Sequence, residues 1–393
     1  MKNIIKKGFS SSILLKRSDN QALELGKYAK HFMEQGSPSQ NVLERVKMFH
    51  TDSVMCGISA LALRTNAPSV LKNEAMSYSQ ASVNGKAGYA KCFGSKNATI
   101  SEKAIVANCS AVREWDSNGT VFGFREGREG HQAGEFGHND FYPVVIAACH
   151  ENPNINGAQA VKAMLLLDEI RGRLAEVFSL KTYKIDHVVH GAIASAVVYG
   201  VLMGASDEQI ECAIGMTVAH YIPYRAIRAG HQLSDSKGAS AALSTEVAIL
   251  SMKRCMMGFV GPKDIFRNPE SVFRFNEKTD GDSPFDLLMG FEGDDFAVMG
   301  MHFKLGLYEH QSASAIEGLL KLIQEGKFVE NNNFDNFSNI NIAAYEPAFG
   351  IIGDPAKRTP TTRQSADHSM VYIVATMLRK AIENPNLYEG VEN

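Results

Sequence analysis

The sequence lacks any CxxC pair, although it holds six cysteines, Cys56, Cys92, Cys109, Cys149, Cys212 and Cys255. Scattered in this way they argue against a zinc knuckle, an iron–sulfur cluster and a disulfide framework, and they read as reduced, mostly buried thiols. Neither sign of charge is in excess: 40 Lys and Arg stand against 43 Asp and Glu, a formal net charge of -3. No overall field recruits nucleic acid, and there is neither a basic stripe with interleaved aromatics nor a nucleic-acid motif. No segment reaches the ~20 uninterrupted apolar residues that a membrane span needs. The best candidate, "HVVHGAIASAVVYGVLMGAS", contains His187 and His190 and reads as a buried helix. No internal repeat is visible. What remains is a globular chain of 393 residues, 45% hydrophobic, with room for two domains or one large one.

Residues 1–20 differ from the rest. "MKNIIKKGFSSSILLKRSDNQ" carries Lys2, Lys6, Lys7, Lys16 and Arg17, three consecutive serines and no acid before Asp19. A cationic, acid-poor start of this kind is expected to be a mitochondrial presequence, which places the protein in the matrix with a mature end near Asp19 to Ala22. From Gln21 the apolar period is helical. Leu23, Leu25, Tyr28, Ala29, Phe32 and Met33 mark one face, and Val42, Val46, Phe49, Val54, Met55 and Ile58 continue it in the next segment. Further helices are expected at about 102–115, 139–150, 157–178, 187–204, 206–220 and 239–257. Ser101 with Glu102, and Ser206 with Asp207 and Glu208, read as helix starts.

The fold class is therefore mainly α. Residues 21–262 are expected to form one large all-helical domain. Gly, Pro and Asp clusters in "GFVGPKDIFRNPE" and "FNEKTDGDSP" then interrupt helix, so a smaller α+β domain is expected over 263–393. There "MHFKLGLY" and "NINIAAYE" alternate with the two-residue period of strands, while "SASAIEGLLKLIQEG" and "ADHSMVYIVATMLRKAIE" read as helices.

One loop between two apolar helices concentrates polar groups. In "EWDSNGTVFGFREGREGHQAGEFGHNDFYPVVIAACH" stand Asp116, Asn118, Thr120, Arg125, His131, His138 and Asp140. Binding residues gather on such loops, although Asp116, Thr120, His138 and Asn139 each also suit helix capping. "YKIDHVVHG" sets His187 and His190 three apart at a helix start, where His190 reads as a satisfied core histidine. "YRAIRAGHQLSDSKGASAA" gathers Arg225, Arg228, His231 and Lys237 around a turn that opens a helix, a ready carboxylate site. By itself Lys237 would more often be a solvated surface charge. Lys304 in "MHFKLGLYEHQSAS" either snorkels outward or is held inside, and His310 and Gln311 follow at another helix start.

In their order, "VREWDSNGT", "GHND", "DHVVHGAIASA", "SDSKGASAALSTEVAIL", "HFKLGLYEHQSASAIEGL" and "ADHSMVYIVATML" resemble the MmgE/PrpD family, across about residues 22–382. The resemblance is to 2-methylcitrate dehydratases and, more distantly, to cis-aconitate decarboxylases. It implies a helical domain topped by an α+β lid, a homodimer, and a cleft active site between the domains that uses no metal and no cofactor. Carried over by residue, it implies catalytic roles for Asp116, His138, His187, Lys237 and Lys304, and substrate contacts for Thr120, His310 and Tyr345. The loop before His138 is long, so His131 competes with it; His138 is preferred because it precedes the apolar helix. Relatives continue past the helix at 366–382, which implies a C-terminally incomplete lid.

The implied reaction is dehydration of 2-methylcitrate to 2-methyl-cis-aconitate in the methylcitrate cycle of propionate catabolism. The alternatives are a cis-aconitate decarboxylase-like lyase and an inactive member serving as a binding or structural subunit. A dehydration of this kind removes a proton beside a carboxylate while a tertiary hydroxyl leaves. Preorganised cations, the part of Lys237 and Lys304, and an acid/base pair, the part of His138 and His187 with Asp116, suit that chemistry.

Overall fold

The computed structural model describes residues 12–119, 135, 137–227, 232–304, 306–326 and 337–384. The chain is mainly α, with fourteen α-helices among the described residues. Of these residues, those up to Arg225 together with Ala239–Phe303 form one compact unit, and Ala226–Gly238 with Lys304 onward form another.

The first unit opens with β1 (Ser12–Leu15), α1 (Gln21–Gln35), β2 (Ser37–Pro38), α2 (Gln40–Ala62) and α3 (Asn66–Ser77). Next come β3 (Tyr89–Lys91), β4 (Ala98–Ile100), α4 (Ser101–Arg113), α5 (Pro143–Glu151), α6 (Gly157–Val177), α7 (Val188–Leu202) and α8 (Asp207–His220). Helix α9 (Asp235–Met256) has its first turn in the second unit, and α10 (Val272–Asn276), β5 (Leu287–Gly290) and β6 (Glu292–Gly293) complete the first.

Local chemistry explains most of these starts. Asn20 caps α1 by accepting from Leu23 N, and Leu25, Tyr28, Ala29 and Phe32 then bury one face at helical spacing. Asn156 with Gln159 starts α6, and Ser206 with Gln209 starts α8, each as a reciprocal capping box. Ser101 is the first residue of α4 rather than its cap, and its hydroxyl accepts from Lys253 Nζ. In α2 the buried stripe passes from Val42, Val46 and Phe49 to Ser53, Gly57 and Ala60, which leaves Met55 and Ile58 exposed. Helix α7 has no polar face: all but one of its residues are buried, and it packs against α6 and α8 as a central core helix. No single helix among the described residues is long and apolar enough to cross a membrane. All six cysteines are free thiols.

Two expectations about organisation meet the structure differently. Residues 12–20, expected to be the end of a leader, contribute β1, which pairs antiparallel with β5 from Ser12 opposite Gly290 to Leu15 opposite Leu287. Gln21 fastens the joint by donating to the carbonyls of Leu15 and Phe285. The apolar residues between the basic ones are the strand's own. The break expected at 262/263 falls inside the first unit: Phe266, Phe273 and Phe285 are buried there and meet Phe178 or each other ring to ring at 4.7–5.9 Å. The Gly and Pro clusters mark a change of local conformation, not of core.

The second unit holds α11 (Ala313–Gly326), α12 (Glu346–Ile351), α13 (Arg363–Ala366) and α14 (Met370–Glu383). Its core consists of Ile323, Leu378, Ala381 and Ile382, and of Ala348, Ile352, Met370 and Val374. Among the described residues neither "MHFKLGLY" nor "NINIAAYE" is a strand. In the second of these only Ile342 is half-buried and Ile340 is 49% exposed, so alternation there marks no buried face.

Candidate active site

His138 opens a tight turn, His138–Phe141, that leads directly into α5, whose first residue is Pro143. The side chain is fully buried. Its Nδ1 lies 3.1 Å from Asp168 Oδ1, and the other oxygen of Asp168 accepts from the Tyr142 hydroxyl at 2.6 Å. The Phe49 ring meets the imidazole edge-on at 4.3 Å between centroids. A carboxylate that already accepts from Tyr142 requires Nδ1 of His138 to be the donor. Nε2 is then the basic nitrogen of the ring, the arrangement of a carboxylate-oriented general base.

The loop after α4 comes to the same place. Asp116, in the left-handed region at φ +50°, is buried, and its Oδ1 lies 2.7 Å from Arg113 Nη2. Arg113 Nε in turn lies 3.7 Å from Asp140 Oδ2. Asn118 Nδ2 donates to Asn139 Oδ1 at 2.8 Å and to Asp140 Oδ1 at 2.5 Å. Asn139 Nδ2 donates to Asp52 Oδ2 at 2.9 Å and to the Phe49 carbonyl. Gly119 N also points to Asp52 Oδ2, at 3.4 Å. A Cβ at position 119 would stand 2.4 Å from His138 Cδ2 and 2.6 Å from Nε2. Only a glycine lets the backbone lie against that edge of the ring. Burial pushes the carboxyl of Asp140 up from its ordinary value, against the opposing pull of Arg113, and burial likewise raises Asp52. Asp116 is thus an ion-paired member of a buried network. The next residue, Thr120, lies outside the described residues, as do Arg125 and His131.

Two further histidines lie at the start of α7. His187 immediately precedes it, is 7% exposed and has Nδ1 3.6 Å from Asp186 Oδ1. His190, fully buried, has Nδ1 2.9 Å from Glu135 Oε1. One residue on, Gly191 packs against the Phe141 ring, so this face of α7 abuts the turn that carries His138.

The remaining expected residues belong to the second unit. Lys237, in the first turn of α9, is 4% exposed, which excludes a solvated surface lysine. The strand of chain before it is strapped down within that unit. Gln232 donates to Ala356 O, Leu233 N donates to Ser365 Oγ, Thr362 Oγ1 donates to Leu233 O, and Gln364 donates to Asp235 Oδ1. Arg228 and His231 lie outside the described residues. Lys304 is half-buried; His310, also half-buried, opens the turn before α11. Tyr345 precedes α12 and is 53% exposed. Among the described residues no three His, Cys, Asp or Glu side chains are grouped to hold a metal ion.

Asp168, Tyr142, Asp52 and Arg113 are absent from the residues that the sequence singles out. For Asp168 a signal exists: "LLLDEIRGRL" sets Asp168, Glu169, Arg171 and Arg173 into an apolar helix, and all four are buried. Charges on more than one side of a buried helix must find partners.

Comparison with known proteins matches residues 24–282 to the MmgE/PrpD N-terminal domain and 308–389 to the MmgE/PrpD C-terminal domain. The chain belongs to the MmgE/PrpD family. The gap between the two matched domains contains the division after Phe303, where the first compact unit ends. A curated relative, alkylcitrate dehydratase phiI of a fungal species (strain ATCC 74256), is 27% identical over 229 residues. That match covers 58% of this chain and 44% of the relative.

Proposed function

We propose that this MmgE/PrpD chain is a lyase that dehydrates a citrate-like tricarboxylate, with 2-methylcitrate as substrate, 2-methyl-cis-aconitate as product and propionate catabolism as its setting. The observation that carries the reading is His138, held on Nδ1 by Asp168 with its Nε2 edge against the Gly119 backbone. A buried imidazole oriented by a carboxylate suits removal of a proton beside a substrate carboxylate. The relative's name, an alkylcitrate dehydratase, supports the same substrate class. Asp116 orients the network through Arg113, and Thr120 contacts substrate. His187 is the acid/base partner that the family resemblance implies. Lys237 and Lys304, with His310 and Tyr345, bind substrate carboxylates and offset the charge that develops on one of them.

The test is direct. Purified protein incubated with 2-methylcitrate should develop the ultraviolet absorbance of a conjugated alkene, and silence at ample enzyme concentration would sink the reading. Carbon dioxide released from cis-aconitate, with 2-methylcitrate untouched, would select a decarboxylase instead. A homodimer, checked by light scattering, and a place in the mitochondrial matrix belong to the same proposal.

A further inference from the structure

His190 differs from the satisfied core histidine its sequence context suggests. Its Nδ1 is held by Glu135 Oε1 at 2.9 Å, while its Nε2 is buried and has no hydrogen-bond partner among the described residues. Buried polar atoms in folded proteins are rarely left so, and each exception calls for an explanation, a catalytic role among them. On its other side Glu135 faces a cation, with Oε2 3.8 Å from Arg171 Nη2. The Arg171 guanidinium lies over the Phe141 ring, 4.9 Å from its centroid. The tip of that ring meets Gly191, where a Cβ would come within 2.1 Å of Phe141 Cζ. Phe141 ends the turn that His138 begins, and Asp168 stands one helical turn before Arg171 on α6. Two imidazoles, each gripped on Nδ1 by a carboxylate, therefore flank one buried turn.

We propose that His190, positioned by Glu135, is a second proton-transferring group of this site, paired with His138. The inference rests on the dehydratase reading above and deepens it. In the step envisaged, one neutral imidazole takes the proton from the carbon beside a carboxylate. The C–H electron pair becomes the new π bond, and the C–O bond breaks toward oxygen. The departing hydroxyl takes a proton from the other, protonated imidazole and leaves as water. Proton exchange with solvent restores both rings.

Two variants test this. His190→Asn keeps a donor for Glu135 but cannot carry a proton, and Glu135→Gln keeps an acceptor for His190 while losing its charge. Against 2-methylcitrate, kcat of His190→Asn should fall about 100-fold or more with KM within about threefold of the parent. Glu135→Gln should lower kcat about tenfold by the same split, and it decides the case if His190→Asn does not fold. A merely structural role would lower Tm and the active fraction together and leave kcat per folded molecule unchanged. Folded variants with parental kcat overturn the assignment of His190 alone, whereas a parent that dehydrates no tricarboxylate overturns the functional reading beneath it.

Discussion

Replacing Asp168 by asparagine isolates the orientation of His138 from its presence. Asp168 is fully buried and serves two groups, the Tyr142 hydroxyl at 2.6 Å and His138 Nδ1 at 3.1 Å. Asparagine has one oxygen to offer. If that oxygen stays with the shorter Tyr142 bond, the amide NH2 faces Nδ1, which must become an acceptor. The ring proton then moves to Nε2, and the basic nitrogen is lost from the edge beside Gly119. Loss of general base catalysis costs about 10²–10⁴ in rate, or ~3–5 kcal/mol of activation free energy. The effect on stability should be far smaller. A charge-assisted bond worth ~1.5–3 kcal/mol gives way to a neutral one worth ~0.5–1.5, and the amide is cheaper to bury than the carboxylate. Asp168→Ala should behave differently, because it leaves two interior groups unpartnered at about 1–3 kcal/mol each. Dehydration of 2-methylcitrate and thermal unfolding, measured on both variants, separate these effects. An Asp168→Asn enzyme with normal Tm and full turnover would refute the orientation argument.

Other consequences can be checked independently. Lys237→Met keeps the stem of a side chain that is 4% exposed and removes its charge. Catalytic efficiency should drop at least about tenfold through loss of a charge-assisted contact, and unchanged kinetics in a normally folded variant would remove Lys237 from the site. Burial depresses the pKa of His50 below its ordinary 6.5. The unfolded chain therefore binds a proton there first, and stability that is present above pH 6.5 is lost as pH falls toward the depressed value. Denaturant titrations across that window should show a shallower decline for His50→Gln, and parallel curves would count against the shift. Because β1 pairs with β5 from Ser12 onward, protein from its native source should begin at or before Ser12. N-terminal sequencing that instead finds a start between Asp19 and Ala22 would show that β1 is dispensable.

The helices were legible because their determinants are local. The apolar period of α1, the capping boxes of α6 and α8, and the unbroken apolar run of α7 all lie within the segment they shape. The loop from Asp116 to His138 also announced itself, through polar groups crowded between two apolar helices. What local pattern could not decide is who meets whom. Asp168 reaches His138 across 30 residues, and Glu135 reaches His190 across 55. In sequence Asp168 is one charge among several in α6, and His190 is one polar residue in an apolar helix.

The N-terminal segment shows the same limit from the other side. Its basic, apolar composition suits a leader and an edge strand equally, and only β5, more than 270 residues away, makes Ser12–Leu15 a strand. The sequence by itself determined where helices run and which loop is polar, since period and capping act over a few residues. Tertiary structure alone decided that Phe266, Phe273 and Phe285 join the first core, that Lys237 is buried, and which carboxylate holds which imidazole. Burial and pairing are properties of neighbours that the chain brings together only on folding.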